Sequence, residues 1–104
     1  MKKKTSFKDL INRSKPTLVE FSAEWCGPCK AMVPILQDVA RQVGDSAHII
    51  KIDVDHNPAV ARKFKIMSVP TLMLFKNGKK KWMQVGMQSA KTLVRVINEA
   101  NGEN

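Results

Sequence analysis

The chain lacks several features that would place it in other classes of protein. No apolar run approaches the roughly 20 residues that a membrane-spanning helix requires. There is no glycine-rich dinucleotide fingerprint, and we therefore expect no bound nicotinamide, flavin or other cofactor. Neither an internal repeat nor a low-complexity linker divides the 104 residues. The length fits one domain, which we assign to residues 1–104, and an apolar fraction of 43% is sufficient for a packed core.

The chain has few cysteines, and their spacing limits the kinds of site that they could form. The only two cysteines, Cys26 and Cys29, lie three positions apart. A tetrahedral zinc site needs four ligands, whereas His48 and His56 lie in or beside a different predicted strand, so we predict no metal site. A structural disulfide across so short a loop would remove little chain entropy. The pair is therefore more consistent with redox chemistry.

The basic N-terminus bears on whether the chain has a secretory leader. The basic start Lys2-Lys3-Lys4 resembles that of a signal peptide, but Thr5 to Asp9 does not form an apolar core. We therefore expect no secretory signal and a cytoplasmic location. In that compartment two close cysteines are typically catalytic or metal-binding and not a structural staple.

Acidic residues are half as numerous as basic ones, 9 against 18, which gives a formal net charge of +9. Residues 1–15 contribute +5 and residues 76–81 contribute +4, which is the whole excess. We interpret these segments as solvated ends and a solvated hairpin tip, with steering toward acidic protein partners as the alternative. Nucleic-acid binding is not expected, because neither a recognisable module nor an interleaved aromatic series accompanies the charge.

Hydrophobic periodicity and capping residues predict the element order α-β-α-β-α-β-β-α. Predicted strands cover Thr17–Phe21, His48–Val54, Thr71–Phe75 and Trp82–Val85. The first predicted helix runs from a Ser6 cap to about Arg13, and the second follows the cysteine motif and runs through Val43 to a Gly44 cap. The third runs from Asn57 to about Phe64, and the fourth from a Ser89 cap to Gly102. Asn77-Gly78 favours a type I′ hairpin turn. A β-α-β unit followed by a hairpin and a helix indicates an α/β protein with a mixed sheet.

The segment from Trp25 to Lys30, WCGPCK, lies where a strand-like run gives way to a helix-like run. At a helix N-terminus Cys26 meets unpaired N–H groups and the positive end of the dipole, which favours a thiolate. Cys29 lies within reach across the first turn, so one sulfur can attack a disulfide and the other can release it. Gly27 allows close approach of a partner. Pro28 removes a backbone donor, and we expect a comparatively reducing dithiol.

The segment Phe21 to Lys30, FSAEWCGPCK, resembles the active-site signature of the thioredoxin family. Val69-Pro70-Thr71 and Phe75 to Gly78 match the same family, as do Lys51 to Asp55, Asn57-Pro58 and Val85-Gly86, so the resemblance covers about residues 6–101. It implies the thioredoxin fold, a four- to five-stranded mixed sheet with helices on both faces. Residues 1–5 then form a short edge strand or a basic tail.

The resemblance also implies roles for individual residues. Cys26 is implied as the exposed nucleophile and Cys29 as the buried resolving thiol. The Val69–Pro70 bond is implied to be cis and to face the cysteines. The implied substrate-binding surface consists of Trp25, Gly27, Pro28, Met67, Val69, Gly86 and Met87. For the two methionines, packing in the core is the alternative.

Glu20 and Ser22 depart from the family pattern, whereas Lys51 matches it. Glu20 stands where most members have a buried aspartate, and we expect it to accept the proton of Cys29; the alternative is a glutamate that extends to solvent. Lys51 matches a family lysine near that carboxylate and is expected to tune its pKa, unless it is only a solvated edge lysine. Ser22 replaces an aromatic residue, which predicts looser packing or a local hydrogen bond.

The implied activity is that of a protein-disulfide oxidoreductase that reduces disulfide-containing client proteins. Re-reduction by a flavin-containing thioredoxin reductase that uses NADPH is implied as well, and we expect a monomer. A protein of the same fold that acts as an oxidant or isomerase is a first alternative, against which Gly27-Pro28 and the absence of a leader argue. A binding module that needs neither cysteine is a second alternative.

Overall fold

A computed structural model describes residues 6–103, and the question of an edge strand in residues 1–5 lies outside that range. The predicted element order is confirmed, with one 3₁₀ turn in addition. The elements are α1 (Phe7–Ile11), β1 (Thr17–Ser22), α2 (Gly27–Val43), the 3₁₀ turn (Gly44–Ser46), β2 (His48–Asp53), α3 (Pro58–Lys63), β3 (Thr71–Lys76), β4 (Lys79–Val85) and α4 (Ala90–Asn101).

Capping side chains determine where several helices begin and end. The Ser6 hydroxyl accepts from the Asp9 amide, and the Ser89 hydroxyl accepts from the Thr92 amide, so both predicted N-caps are confirmed. Gly44 ends α2 with a φ of 54°. A left-handed backbone at that position favours glycine.

Two predicted boundaries were wrong for reasons of backbone pairing. Helix α1 ends at Ile11 and not near Arg13, and the residues at its end and just after it pair with the hairpin turn. The Gly78 amide donates to the Ile11 carbonyl, and the Asn77 amide donates to the Arg13 carbonyl. Strand β4 begins at Lys79, three residues before Trp82, because Lys79 pairs directly with Lys76. Positive φ angles at Asn77 and Gly78 confirm the tight turn.

The four strands found in residues 6–103 form one mixed sheet in the order β2-β1-β3-β4. Strand β1 is parallel to β2 and antiparallel to β3, and β3 is antiparallel to β4. All six residues of β1 are buried, as predicted for a central strand covered on both faces. Its C-terminal end therefore delivers the chain from the middle of the sheet into the cysteine segment.

Each face of the sheet packs against helices. On one face Leu18 and Leu72 pack with residues of α2 and α4, including Met32, Leu93 and Ile97. The opposite face carries a cluster of all the phenylalanines of the chain, Phe7, Phe21, Phe64 and Phe75, and the ring centroids of Phe64 and Phe75 lie 5.4 Å apart. No helix of the described part is long and apolar enough to cross a membrane.

Candidate active site

Cys26 and Cys29 form a disulfide at the start of α2. Cys26 is the N-cap residue of the helix, and its sulfur accepts a hydrogen bond from the Cys29 amide at 3.1 Å. The loop before it is closed by the Cys26 amide, which donates to the Ala23 carbonyl at 3.2 Å. The pair therefore lies where unpaired helix N–H groups and the helix dipole stabilise negative charge on sulfur, as the sequence predicted.

Both cysteines are covered in the oxidised state. The side chain of Cys29 is 1% exposed, as expected, but Cys26 is only 4% exposed, so the expectation of an exposed Cys26 is wrong for the disulfide form. The cause is packing by Ala23 and Val69. The Cys26 sulfur lies 3.7 Å from the Val69 carbonyl oxygen, which can accept the S–H hydrogen after reduction. A client sulfur must therefore approach across the residues that surround Cys26.

The loop before β3 faces the disulfide. Its Val69–Pro70 peptide bond is cis, which confirms the prediction drawn from the resemblance. The Gly86 amide donates to the Pro70 carbonyl at 2.8 Å, so the loop is tied to the end of β4. The Thr71 hydroxyl donates to the Ser68 carbonyl at 2.7 Å. These bonds hold Val69 against Cys26 from a distant part of the sequence.

Apolar side chains stand exposed around the cysteine pair. Met67 is 92% exposed and Trp25 is 71% exposed, and Met87 is exposed as well. The alternative that Met67 and Met87 pack in the core is therefore wrong. A hollow of about 100 Å³ separates the Trp25 ring from the 66–69 loop; its lining is Trp25, Val54, Ile66, Met67, Ser68 and Val69. Such flexible apolar surface suits contact with varied protein segments.

Asp55 takes part in the site, although sequence reasoning gave it no role. The Trp25 indole Nε1 donates to the Asp55 carboxylate at 2.9 Å. The neighbouring Asp53 carboxylate accepts from the amides of Asp55 and His56, which shapes this loop. Since Trp25 and Asp55 are 30 residues apart, no local pattern reveals the contact. The segment from Lys51 to Asp55 was matched to the family, and that match was the only available signal.

Glu20 is fully buried, with an exposed fraction of 0%, so the alternative that it extends to solvent is wrong. Neither carboxylate oxygen has a hydrogen-bond partner in the described part of the chain. Burial raises the pKa of Glu20 above its ordinary value, and the positive charge of Lys51 lowers it to a smaller extent. A carboxyl in this environment is suited to holding a proton and exchanging it.

A cleft of about 660 Å³ opens beside Cys29. Its lining residues come from the end of β1, the start of α2 and the strand β2 with its following loop; they are Ser22, Ala23, Glu24, Cys29, Lys30, Lys51, Asp53 and His56. Ser22 is the residue that replaces the family's aromatic side chain, and the cleft lies beside it. The sequence did not predict that His56 would share a cleft with Cys29.

Three ligand-type side chains meet at this cleft. One ligand atom from each of Glu24, Asp53 and His56 lies within 4.8 Å of the others. Asp53 already accepts two backbone amides, and Glu24 and His56 are exposed. Exposed acidic groups of this kind commonly hold no ion, so the cluster supports no metal site and the prediction of no metal stays a prediction.

A disulfide at the start of a helix, facing a cis-proline loop at the end of a mixed sheet, defines a thiol–disulfide oxidoreductase. The thioredoxin family model matches residues 1–99. The chain belongs to the thioredoxin family, and its function is the reduction of protein disulfides by thiol–disulfide exchange through Cys26 and Cys29.

Similar proteins agree with this placement. The thioredoxin of Mycolicibacterium smegmatis is 45% identical over 94 residues, which is 88% of this chain and 84% of that protein. The thioredoxin of Rickettsia typhi is 38% identical over 96 residues, or 91% of each chain. A solved structure of a mutant thioredoxin from Halobacterium salinarum NRC-1 has a TM-score of 0.85 at 33% identity, covering 98% of this chain and 88% of that one.

Proposed function

We propose that the protein is a reductase of many client proteins in which Cys26 is the attacking thiol and Cys29 the resolving thiol. The observation that carries this assignment is the position of Cys26, which is the N-cap of α2 and contacts the Val69 carbonyl. An N-cap sulfur receives helix N–H groups, as the Cys26 sulfur does from the Cys29 amide, whereas Cys29 lies inside the first turn. Cys26 is therefore the sulfur that a client meets.

In the first step the Cys26 thiolate attacks one sulfur of a client disulfide. A bond forms between Cys26 and that client sulfur, and the other client sulfur leaves as a thiolate. The client segment lies across Trp25, Gly27, Pro28, Met67 and Val69, with Gly86 completing this binding surface. The cis-Pro70 loop presents the Val69 backbone to the client, so the reacting sulfurs are oriented by main-chain as well as side-chain contacts.

In the second step Cys29 attacks Cys26 and breaks the mixed disulfide. Cys29 must lose its proton to do so, and Glu20 is proposed as the acceptor. The support for this role is a buried carboxylate whose oxygens have no hydrogen-bond partner in residues 6–103 and are therefore free to take a proton. The client leaves as a dithiol, and two electrons have passed from the Cys26–Cys29 pair to it. Lys51 would set how readily Glu20 takes the proton.

Re-reduction of the Cys26–Cys29 disulfide needs an external source of two electrons. We assign it to a thioredoxin reductase that uses NADPH and flavin, because the chain has no dinucleotide fingerprint of its own. The protein would act as a monomer in the cytoplasm, without cofactor, metal or nucleic acid.

Trapping tests this mechanism. In Cys29→Ser the first step still occurs but the mixed disulfide is not resolved, so clients should remain attached to Cys26 and separate on reducing gels. Cys26→Ser is the matched control and should trap none. The mechanism is contradicted if Cys29→Ser recovers no more disulfide-linked protein under oxidative load than Cys26→Ser. A binding module that needs neither cysteine would instead keep its function when both are serine.

A further inference from the structure

A second depression adjoins the hollow beside Trp25, and the two share Ile66, Met67 and Ser68 as lining residues. We call it the β4 groove; its walls are Phe64, Ile66 and Met67 on one side and Met83 and Val85 on the other, with Met73 as its floor, and its volume is about 220 Å³. Met83 and Val85 are about half exposed, whereas Met73 is buried. The groove lies along the outer strand β4, whose residues are all exposed except the partly buried Trp82.

The register of the hairpin explains the row of side chains along this groove. Thr71 pairs with Val85 and Met73 pairs with Met83, and directly paired residues in an antiparallel ladder share one face. Both pairs lie on the same face as Phe75. The exposed side chains of Met83 and Val85 therefore lie next to the buried Met73. This arrangement can accommodate an apolar side chain of a partner.

Positive charge accompanies this apolar row. Lys65 lines the groove, and Lys80, the register partner of Phe75, continues the row beyond Met83. No acidic residue of the described chain lines the groove. A partner segment with an apolar residue next to carboxylates would therefore match the groove in both polarity and charge.

The groove is continuous with the client-binding surface. Met67 lines both the groove and the hollow beside Trp25, and Val85 directly precedes Gly86. A client segment that leaves Cys26 across Met67 therefore reaches the groove at a residue that both depressions share. Met67 is the most exposed apolar side chain of the described residues, at 92%, which fits a residue shared by two contact areas.

We propose that the β4 groove is a second docking site for client proteins, which takes a segment where an apolar residue is followed by acidic residues. This proposal rests on the proposed reductase function and names the clients that it favours. Occupation by a second copy of the chain is opposed by its net charge of +9, because two such molecules repel one another.

Reduction of designed peptides tests the proposal with the full chain. One peptide carries only a short disulfide loop; a second adds a flexible linker, a leucine and two glutamates; a third has glutamines in place of the glutamates. Linkers of about 4, 8 and 12 residues cover the reach, since each residue spans at most about 3.6 Å. We expect kcat/KM for the acidic extension to be about tenfold above that of the short peptide, with the glutamine version between them.

Variants locate the effect. Met83→Gln should lower toward one the ratio of kcat/KM for the acidic extension to kcat/KM for the short peptide. Val33→Gln, at an exposed apolar position on α2 outside the groove, should leave this ratio unchanged. Lys65 has a left-handed backbone, so Lys65→Asn removes its charge with a residue that tolerates this conformation. Lys65→Asn should reduce the ratio of kcat/KM for the glutamate peptide to that for the glutamine peptide about two- to threefold, and Lys91→Asn should leave this ratio unchanged.

Direct binding is measured by adding the extension alone, as a peptide without cysteine, and recording the methionine methyl resonances of the protein. The Met83 and Met73 methyls should shift, and the Met32 methyl, buried on the opposite face of the sheet, should not. The proposal is overturned if the extension changes neither kcat/KM nor these methyl resonances. It is also overturned if the resonances shift with protein concentration alone, because that result indicates self-association. A chain that fails to reduce even the short peptide overturns the reductase function instead.

Discussion

Glu20 and Lys51 are register partners across the β1–β2 ladder, so a fully buried carboxylate has an exposed lysine as its lateral neighbour. Burial raises the pKa of Glu20 and the charge of Lys51 opposes that rise, with burial the larger effect. The carboxyl therefore keeps its proton to a higher pH than an ordinary glutamate. If Glu20 accepts the Cys29 proton, as proposed, the charge of Lys51 adjusts the pH at which it does so.

Replacing Glu20 by Gln should slow turnover without unfolding the protein. The substitution keeps the size of the side chain but removes the carboxylate proposed to accept the Cys29 proton, and a positioned general base contributes roughly 100-fold or more to such steps. We expect release of the mixed disulfide to slow by about 10- to 100-fold. Rapid-mixing measurements of disulfide reduction over about pH 6 to 9 would check this, and identical rates in the two proteins would contradict the role of Glu20.

The same substitution should change how stability depends on pH. The unfolded chain loses the Glu20 proton near its ordinary pKa of 4.5, whereas the folded protein holds it to higher pH. Stability therefore falls as pH rises from 4.5 to the raised folded pKa, and the loss is complete above it. Urea unfolding at a series of pH values should show this decline in the wild type and a smaller one in Glu20→Gln.

Lys51→Gln should move the proton transfer to higher pH. Removing the lysine removes the charge that lowers the Glu20 pKa, so the carboxyl deprotonates later. The rising limb of the pH–rate profile for mixed-disulfide release should shift toward alkaline pH. Lys91→Gln, an exposed lysine on α4, serves as the control and should leave the profile unchanged. Superimposable profiles for Lys51→Gln and the wild type would show that Lys51 is only a solvated lysine.

Asp55→Ala should free the Trp25 indole. Loss of the 2.9 Å hydrogen bond removes the contact that orients the ring beside the cysteines. Because the pair is exposed, we expect a stability loss of less than about 1 kcal/mol, a shift of the Trp25 indole N–H resonance and a loss of kcat/KM on protein substrates of about two- to threefold. Asp45→Ala, in the 3₁₀ turn, is the control. An unmoved indole resonance would mean that Asp55 does not hold Trp25.

Gly86→Ala should destabilise the protein, and Gly27→Ala should not. Gly86 has a φ of 91°, which L side chains rarely adopt, while Gly27 has no such constraint, and a Cβ at either position meets nothing within 4 Å. The expected cost at Gly86 is about 1–2 kcal/mol, and at Gly27 the change should be neutral or stabilising by about 0.4–1 kcal/mol. Urea unfolding of both variants makes the comparison. Equal stabilities would indicate that backbone conformation at Gly86 is unimportant.

Much of the fold was predictable from local chemistry. The run from Thr17 to Phe21 is almost entirely apolar and became the buried central strand, and Asn77-Gly78 specified the hairpin. Ser6 and Ser89 marked helix starts by their capping hydroxyls. The sequence pattern does not predict that β4 begins as early as Lys79. The lysines of this edge strand form the ladder hydrogen bonds through their backbone, so they leave no apolar pattern in the sequence.

The site was predictable only in part, since its members come from distant segments. The two cysteines were evident from spacing, whereas the cis bond before Pro70 came from the family resemblance, because few such bonds are cis and no local residue pattern specifies it. The contact of Trp25 with Asp55 and the shared cleft of Cys29 and His56 depend on how α2 packs against β2. The coverage of Cys26 likewise depends on Val69, 43 residues away.

The reduction potential of the Cys26–Cys29 pair distinguishes a reductase from an oxidant or isomerase of the same fold. The protein would be equilibrated with a series of dithiothreitol or glutathione buffers, trapped with a thiol reagent and quantified as dithiol and disulfide. We expect a value of about −270 mV, which is typical of thioredoxins. A value near about −180 mV, typical of protein disulfide isomerase, would contradict the assignment as a reductase.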